Sequence, residues 1–190
     1  MFGDDALIKR ARGGDSDAFK VLVERHSRAA YKLALRVTGN CHDAEDVVQD
    51  AFLKAYRQLS RFESRASFGT WIHRITMNCA VDLLRSRPRR ELAHEDEALE
   101  QMAASAADAP GGTHSMSPER LMASVEMGDR VKVAMGRLSA LERAAFVLRH
   151  FEGRSIADIG ELLGIRDNAA KHCVFRAVRK IRMALEPFTT

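Results

Sequence analysis

Apolar side chains recur at three- and four-residue steps through most of this chain, the period of helices that each bury one face, and no strand is expected. The spacing predicts a short helix from Ala6 to Arg12, a break at Gly13-Gly14, and a long helix from Asp17 to Val37 with Phe19, Leu22, Val23, Tyr31 and Leu35 in its core. Gly39-Asn40 then turns the chain into an acidic helix, Asp43 to Leu59, whose inward face is read as Val48, Phe52, Ala55 and Leu59. A further helix, Phe68 to Arg85, has Phe68, Ile72, Ile75 and Cys79 on its core side. After Arg85 the pattern fails: SRPRRELAHEDEALEQMAASAADAPGGTHSMSPER mixes charge blocks, alanine, proline and glycine, as poorly ordered linkers do. Helical spacing resumes at Ser117-Pro118-Glu119, with helices from about Pro118 to Leu138 and from Ser139 to Phe151. The fold class is therefore all-α: two small helical domains, residues 1–86 and 118–190, joined by a flexible linker at 87–117.

Two outward faces in the first domain carry candidate chemistry. On the acidic helix, Asp46, Gln49, Asp50 and Leu53 form a second face, polar but with one large leucine, which suits docking on a protein. A solvated acidic face accounts for the carboxylates equally well, because Asp43, Glu45 and Asp46 favour the positive end of the helix dipole. The next helix turns Trp71, Arg74, Asn78, Asp82 and Arg85 away from its core side. Arginines hold phosphates, an aromatic ring stacks on an exposed base, and an asparagine amide both donates to and accepts from a base edge, so this face fits unpaired nucleic acid. A tryptophan taken alone is more often buried. Between the helices, Phe62-Glu63-Ser64-Arg65-Ala66-Ser67-Phe68 reads as a short loop bracketed by aromatics, with room for one displaced base.

The far end has the layout of a helix-turn-helix, SIADIGELLGIRDNAAKHCVFRAVRKIR from Ser155. Ser155 caps the first helix with Asp158 three residues on; Ile156, Ile159, Leu162 and Leu163 are its apolar face, Gly160 allows close helix approach and Gly164 makes the turn. The second helix starts near Asp167 and offers Lys171, His172, Phe175 and Arg176, then the basic run Arg179, Lys180 and Arg182. Phosphate attraction explains the basic run; base reading falls to the earlier residues.

Charge and composition change the picture only a little. The 190 residues, 46% of them hydrophobic, suffice for two small cores, and the net charge of +4 is mildly basic. The positive excess lies at the C-terminal end, while acids gather at Asp43 to Asp50 and Glu91 to Glu100, a segregation that favours one nucleic-acid surface and at least one protein surface. No apolar run reaches the ~20 residues of a membrane span, and the N-terminus lacks a secretory apolar segment, so a cytoplasmic chain without membrane insertion is expected. Cys41, Cys79 and Cys173 are odd in number, widely spaced and read as reduced. An enzyme is not expected. There is no Walker loop, G-x-S-x-G or H-E-x-x-H. His42 with Asp43, Glu45, Asp46 and Asp50 lacks the second Glu-x-x-His helix of a carboxylate-bridged metal site, and no cofactor is expected.

The segments AEDVVQDAFLKAY and SFGTWIHRITMN resemble the promoter-melting domain of bacterial sigma factors, in the small extracytoplasmic-function (ECF) group, and the helix-turn-helix resembles the C-terminal domain of the same group. The resemblance implies that Asp46, Gln49, Asp50 and Leu53 dock on the clamp helices of core RNA polymerase. It implies that the loop captures a base flipped from the non-template strand. Contacts to the melted minus-ten element then fall to Phe62, Ser64, Arg65, Ser67, Phe68, Trp71, Arg74 and Asn78. In the second domain, which in the group also meets the polymerase flap, Lys171, His172, Phe175, Arg176 and Arg179 would read the minus-thirty-five element. The linker, whose HEDEALE stretch either mimics nucleic acid or serves as a plain tether, would thread the polymerase, and an anti-sigma factor would be a partner. Glu63-Ser64 stands where many relatives have Arg-Gly, Asn168-Ala169-Ala170 replaces the usual Gly-Thr-Val, and His172-Cys173 stands where Ser-Arg is common. A conventional helix-turn-helix regulator with an N-terminal effector or dimerisation domain explains the C-terminal end equally well, but not the acidic face or the aromatic-flanked loop.

Overall fold

The computed structural model describes residues 3–63, 66–86 and 130–185, which belong to two compact units, Met1–Ser86 and Arg87–Thr190. The expected linker, and the part of the expected 118–138 helix before residue 130, lie outside the described residues.

The N-terminal unit is built from α1 (Asp4–Arg12), α2 (Ser16–Thr38), α3 (Cys41–Gln58), a single 3-10 turn (Leu59–Arg61) and α4 (Phe68–Ser86). Helices α2, α3 and α4 pack on one another in all three pairs, and α1 lies against α2 and the 3-10 turn. Local chemistry sets the boundaries. Asp15 caps α2, its carboxylate accepting the Ala18 N–H at 3.0 Å. At the other end Gly39 takes the left-handed conformation, φ 73°, that glycine adopts without steric cost. The next residue, Asn40, already caps α3 by accepting the Asp43 N–H at 2.9 Å. Two residues thus end one helix and begin the next.

The seam of α3 differs from the expected one. Its buried positions are Cys41, Asp43, Ala44, Val47, Ala51, Phe52 and Ala55; Phe52 and Ala55 stand as expected, whereas Val48 is only half-buried. Alanines contribute much of this seam: Ala44, Ala51 and Ala55 of α3 are fully buried, as are Ala34 of α2 and Ala80 of α4, and small side chains let packed helices approach closely. Leu22, Leu33, Met77 and Phe68 fill the space around them. Thr76, also fully buried, satisfies its hydroxyl by donating to the Ile72 carbonyl at 2.8 Å.

In the C-terminal unit a helical stretch at 130–136 precedes α5 (Ala140–His150), α6 (Ile156–Leu163) and α7 (Asp167–Leu185). Both α5 and α6 open with capping boxes, Ser139 with Glu142 and Ser155 with Asp158. The core is Ala144, Ala145, Val147, Leu148, Ile159, Ala170, Cys173 and Ala177. Arg143 is buried beside it, its Nη2 donating to the Met135 carbonyl at 2.7 Å, and burial lowers its pKa to about 10. Gly164, φ 64°, turns α6 toward α7, as the sequence predicts.

Gly160 is where the two helices of the motif touch. A Cβ there would lie 2.9 Å from both the Ile165 carbonyl oxygen and Asp167 Oδ1, and the backbone oxygen has no freedom to retreat. Gly160→Ala should therefore destabilise the C-terminal unit, by up to about 2 kcal/mol once the ~1 kcal/mol of helix propensity gained is set against the overpacking cost. Hydrogen exchange should show faster opening of α6 and α7 amides; unchanged protection would contradict the close approach.

Candidate protein and nucleic-acid interfaces

All four residues of the expected docking face, Asp46, Gln49, Asp50 and Leu53, are exposed on α3, with Leu53 46% accessible despite its size. Asp50 pairs with Lys54 at 3.4 Å, and Lys54 also reaches the buried Cys79 thiol of α4, Nζ to Sγ 3.4 Å. Burial pushes the Cys79 thiol upward against the lowering effect of Lys54, so it stays a thiol. Beside this face runs an apolar groove of about 720 Å³ between α2 and α3, walled by Phe19, Val23 and Tyr31 on one side and Val48, Phe52, Leu53 and Tyr56 on the other, with Gln49 at its edge. Phe19 and Tyr31, expected in the core, are half-buried groove walls, and Tyr56 is exposed with its ring edge-on to Phe19 at 4.9 Å. Sequence reading missed the groove because aromatics at helical spacing look alike whether they fill a core or line a trough. Asp43, expected among solvated acids, is buried at the start of α3.

The second face is where the α4 pattern places it. Arg74, Asn78, Asp82 and Arg85 are exposed in a stripe along α4, with Trp71 half-buried at its head and Asp82 4.0 Å from Arg85. Phe62 and Phe68 are a correction. They were expected to touch DNA, yet they are 6% and 1% exposed. They close the bundle beneath Trp71: ring centroids lie 4.8 Å apart for Phe62–Trp71, 5.8 Å for Phe68–Trp71 and 6.2 Å for Phe62–Phe68. Apolar rings at loop ends gain more from burial than from solvent contact, so both ends of the loop are anchored in the core. Ser67 is exposed but serves as a cap, its Oγ accepting the Thr70 N–H at 3.1 Å. Ser64 and Arg65 lie outside the described residues.

On α7, Lys171, His172, Phe175, Arg176 and Arg179 are all exposed, and Phe175 presents a ring 64% accessible to solvent. A phenylalanine so exposed between basic residues contributes little to the unit's own packing. Glu142 of α5 is a residue that sequence reading missed. It is 4% exposed, accepts Lys180 Nζ at 2.6 Å, and sits 3.4 Å from Arg176 Nε. Its capping-box pattern, Ser139-Ala140-Leu141-Glu142, was present in the sequence, but the pairing with residues more than thirty positions away was not. Among the described residues no cluster of His, Cys, Asp and Glu could hold a metal ion, and no helix is long and apolar enough to cross a membrane.

Comparison with known proteins settles what carries these faces. Residues 22–90 match the family model described as Sigma-70 region 2, and residues 129–181 match Sigma-70, region 4. The chain is 34% identical over 188 residues to the RNA polymerase sigma-H factor of Pseudomonas aeruginosa, covering 97% of this chain and 94% of that one. It is 30% identical to the ECF RNA polymerase sigma factor SigW of Bacillus subtilis, with 94% of each covered, and 32% identical to the ECF sigma-E factor of Escherichia coli K12, with 97% and 95% covered. The chain belongs to the ECF sigma factors. Among solved structures this sigma factor resembles CnrH, determined with the cytosolic domain of CnrY: 26% identity, TM-score 0.61, covering 98% of this chain and 99% of that one. The fold is shared too with the sigma factor RpoE of Bartonella quintana, solved with the anti-sigma factor NepR, at 22% identity and TM-score 0.56, covering 88% and 96%. The conventional regulator is set aside, because the relatives match both units in the same order.

The buried carboxylate of this sigma factor gives a pH signature. Burial by itself raises the Glu142 pKa, but the hydrogen bonds from Lys180 and Ser139 and the charge of Lys180 outweigh it and hold the group below its ordinary 4.5. A carboxyl lowered in the folded state stabilises above its unfolded value and loses that contribution as pH falls through the folded one. The melting-temperature advantage of the wild type over Glu142→Gln should therefore be full above pH 4.5 and shrink below it; a difference that does not vary with pH would contradict the ion pairing.

Proposed function

We propose that the outward faces of α3, α4 and α7 divide the labour of transcription initiation. As an ECF sigma factor, the chain binds core RNA polymerase, directs it to particular promoters and promotes melting of the DNA. The observation that carries the residue assignment is the pair of stripes in one bundle: Asp46, Gln49, Asp50 and Leu53 exposed on α3, and Arg74 and Asn78 exposed below a half-buried Trp71 on α4. The first stripe, with the groove beside it, docks on the clamp helices of polymerase; the large exposed Leu53 supplies apolar area and the carboxylates supply orientation.

Melting is differential binding. Trp71 and Asn78 interact with an unstacked base and not with a paired one, so they favour the open strand. The buried Phe62 and Phe68 hold the two ends of the capturing loop at fixed positions beneath Trp71, and Ser64, Arg65 and Ser67 of that loop meet the base itself. In the second unit Lys171, His172, Phe175, Arg176 and Arg179 read and grip the minus-thirty-five element as duplex, and this unit also meets the polymerase flap. Bond making belongs to the polymerase, and the sigma factor works in the cytoplasm without chemistry of its own. An anti-sigma protein that covers these faces is the natural means of control; the RpoE structure contains an anti-sigma factor, and the CnrH structure the cytosolic domain of CnrY.

In vitro transcription with core polymerase from a promoter library tests the assignment. Leu53→Arg should weaken core binding by roughly tenfold, about 1.4 kcal/mol for one large apolar contact replaced by a charge. Asn78→Ala should leave core binding intact and lower the yield of permanganate-reactive open complexes by roughly fivefold, near 1 kcal/mol for a lost base-edge hydrogen bond. Promoter opening unaffected by Asn78→Ala, or core binding unaffected by Leu53→Arg, would overturn the respective role.

A further inference from the structure

The two capping boxes of the C-terminal unit do the same local job with different burial. Asp158 closes the box of α6 from an exposed position, accepting the Ser155 N–H at 3.1 Å. Glu142 closes that of α5 by accepting the Ser139 N–H at 2.9 Å, but from inside the fold. A cap does not require a buried carboxylate, and burying one is costly unless cations meet it. Two do, both from α7. Lys180 donates to Oε2 at 2.6 Å, and Arg176 places its Nε 3.4 Å from Oε1. These cations stand one helical turn apart on the helix whose exposed side faces duplex DNA in the function proposed above.

The geometry divides the arginine. Its inner nitrogen, Nε, is the one turned to Glu142, while Nη2 lies a loose 3.9 Å from the Cys173 sulfur. Arg176 remains exposed, so a guanidinium steadied through Nε still has terminal N–H groups, those of Nη1 and the second one of Nη2, for a two-pronged contact to a base. Lys180 is different. As a flexible point charge on a long stem it would grip any phosphate within reach, but its short contact with a buried carboxylate turns its ammonium inward while the stem stays partly exposed.

We propose that Glu142 is a specificity-positioning residue of this sigma factor: from beneath the recognition helix it aims the guanidinium of Arg176 at a base edge of the upstream promoter element, and it withdraws Lys180 from indiscriminate phosphate binding. The inference rests on the reading of α7 as the duplex-reading helix. It predicts that neutralising one buried acid makes DNA binding stronger in general and poorer in discrimination, the opposite of what loss of a merely structural residue does.

The test uses the full chain assembled with core polymerase and a library of duplexes randomised in the upstream region. Glu142→Gln keeps the side-chain length and an oxygen for the Ser139 cap, the one that Lys180 shares, but removes the negative charge that holds Lys180 and Arg176. It should lower discrimination between selected and random duplexes by about tenfold, as one misdirected arginine contact does. It should also steepen the dependence of log affinity on log salt by roughly 1, as the released lysine finds a phosphate. In an Arg176→Ala background Glu142→Gln should reduce discrimination no further, since Glu142 acts through that arginine. Lys180→Met offers a check in a chain whose Glu142 is intact: the salt slope should stay as in the wild type. Unchanged discrimination and slope in Glu142→Gln, a full additional loss in the Arg176→Ala background, or a slope shallower by roughly 1 in Lys180→Met would each overturn the positioning role. If instead the wild type enriches no shared upstream element at all, it is the assignment of α7 to promoter reading that fails.

Discussion

A small all-helical unit can bury only one stripe of each helix, and in this sigma factor alanines sit among the large apolar residues of those stripes. Ala34, Ala44, Ala51, Ala55 and Ala80 have no exposed surface, and Ala144, Ala145, Ala170 and Ala177 play the same part in the C-terminal unit. Alanine contributes little apolar area itself; the larger buried side chains, Leu22, Leu33, Met77 and Leu148 among them, supply most of it. A narrow seam has a second effect. Large residues such as Leu53, Tyr56 and Phe175 are not needed inside and stand in solvent, where partners are met.

Anchors then fix what the seams leave outside. In the N-terminal unit the anchor is aromatic: Phe62 and Phe68 lock both ends of a short loop under Trp71, and His26, pinned to Asp4 at 2.8 Å, backs Phe68 with its ring 5.2 Å away. In the C-terminal unit the anchor is ionic, a buried carboxylate beneath a basic helix. Each suits its proposed ligand. A loop that accepts a flipped base needs rigid walls at its base, while a helix that reads duplex needs long cations held in one rotamer.

The helices and the glycine and asparagine signals between them were legible in the sequence, because apolar period and cap chemistry are local properties. Gly39-Asn40, Ser155 with Asp158, and Gly164 all stand where those rules place them. The exposure of the α3 and α4 stripes followed from the same periodicity. What escaped was whatever depends on distant neighbours. Phe62 and Phe68 read as contact residues since a loop-edge aromatic carries no sign of whether the core reaches it. Val48 was read in place of Val47 because two identical neighbours differ only in helix phase, and the phase is set by the helices packed on α3. Glu142 gave a visible cap signal and no hint of Lys180, thirty-eight residues on.

The joint between α2 and α3 has a further meaning. With Gly39 ending one helix and Asn40 beginning the next, no slack lies between them, and the rotational phase of α3 is inherited directly from α2. One residue more or fewer would rotate α3 by ~100° about its axis, carrying Leu53 and the carboxylates around the helix and a different set of side chains into the seam. The docking stripe is therefore a matter of angle as much as of composition: two residues at a bend act as the index mark that keeps it pointing outward.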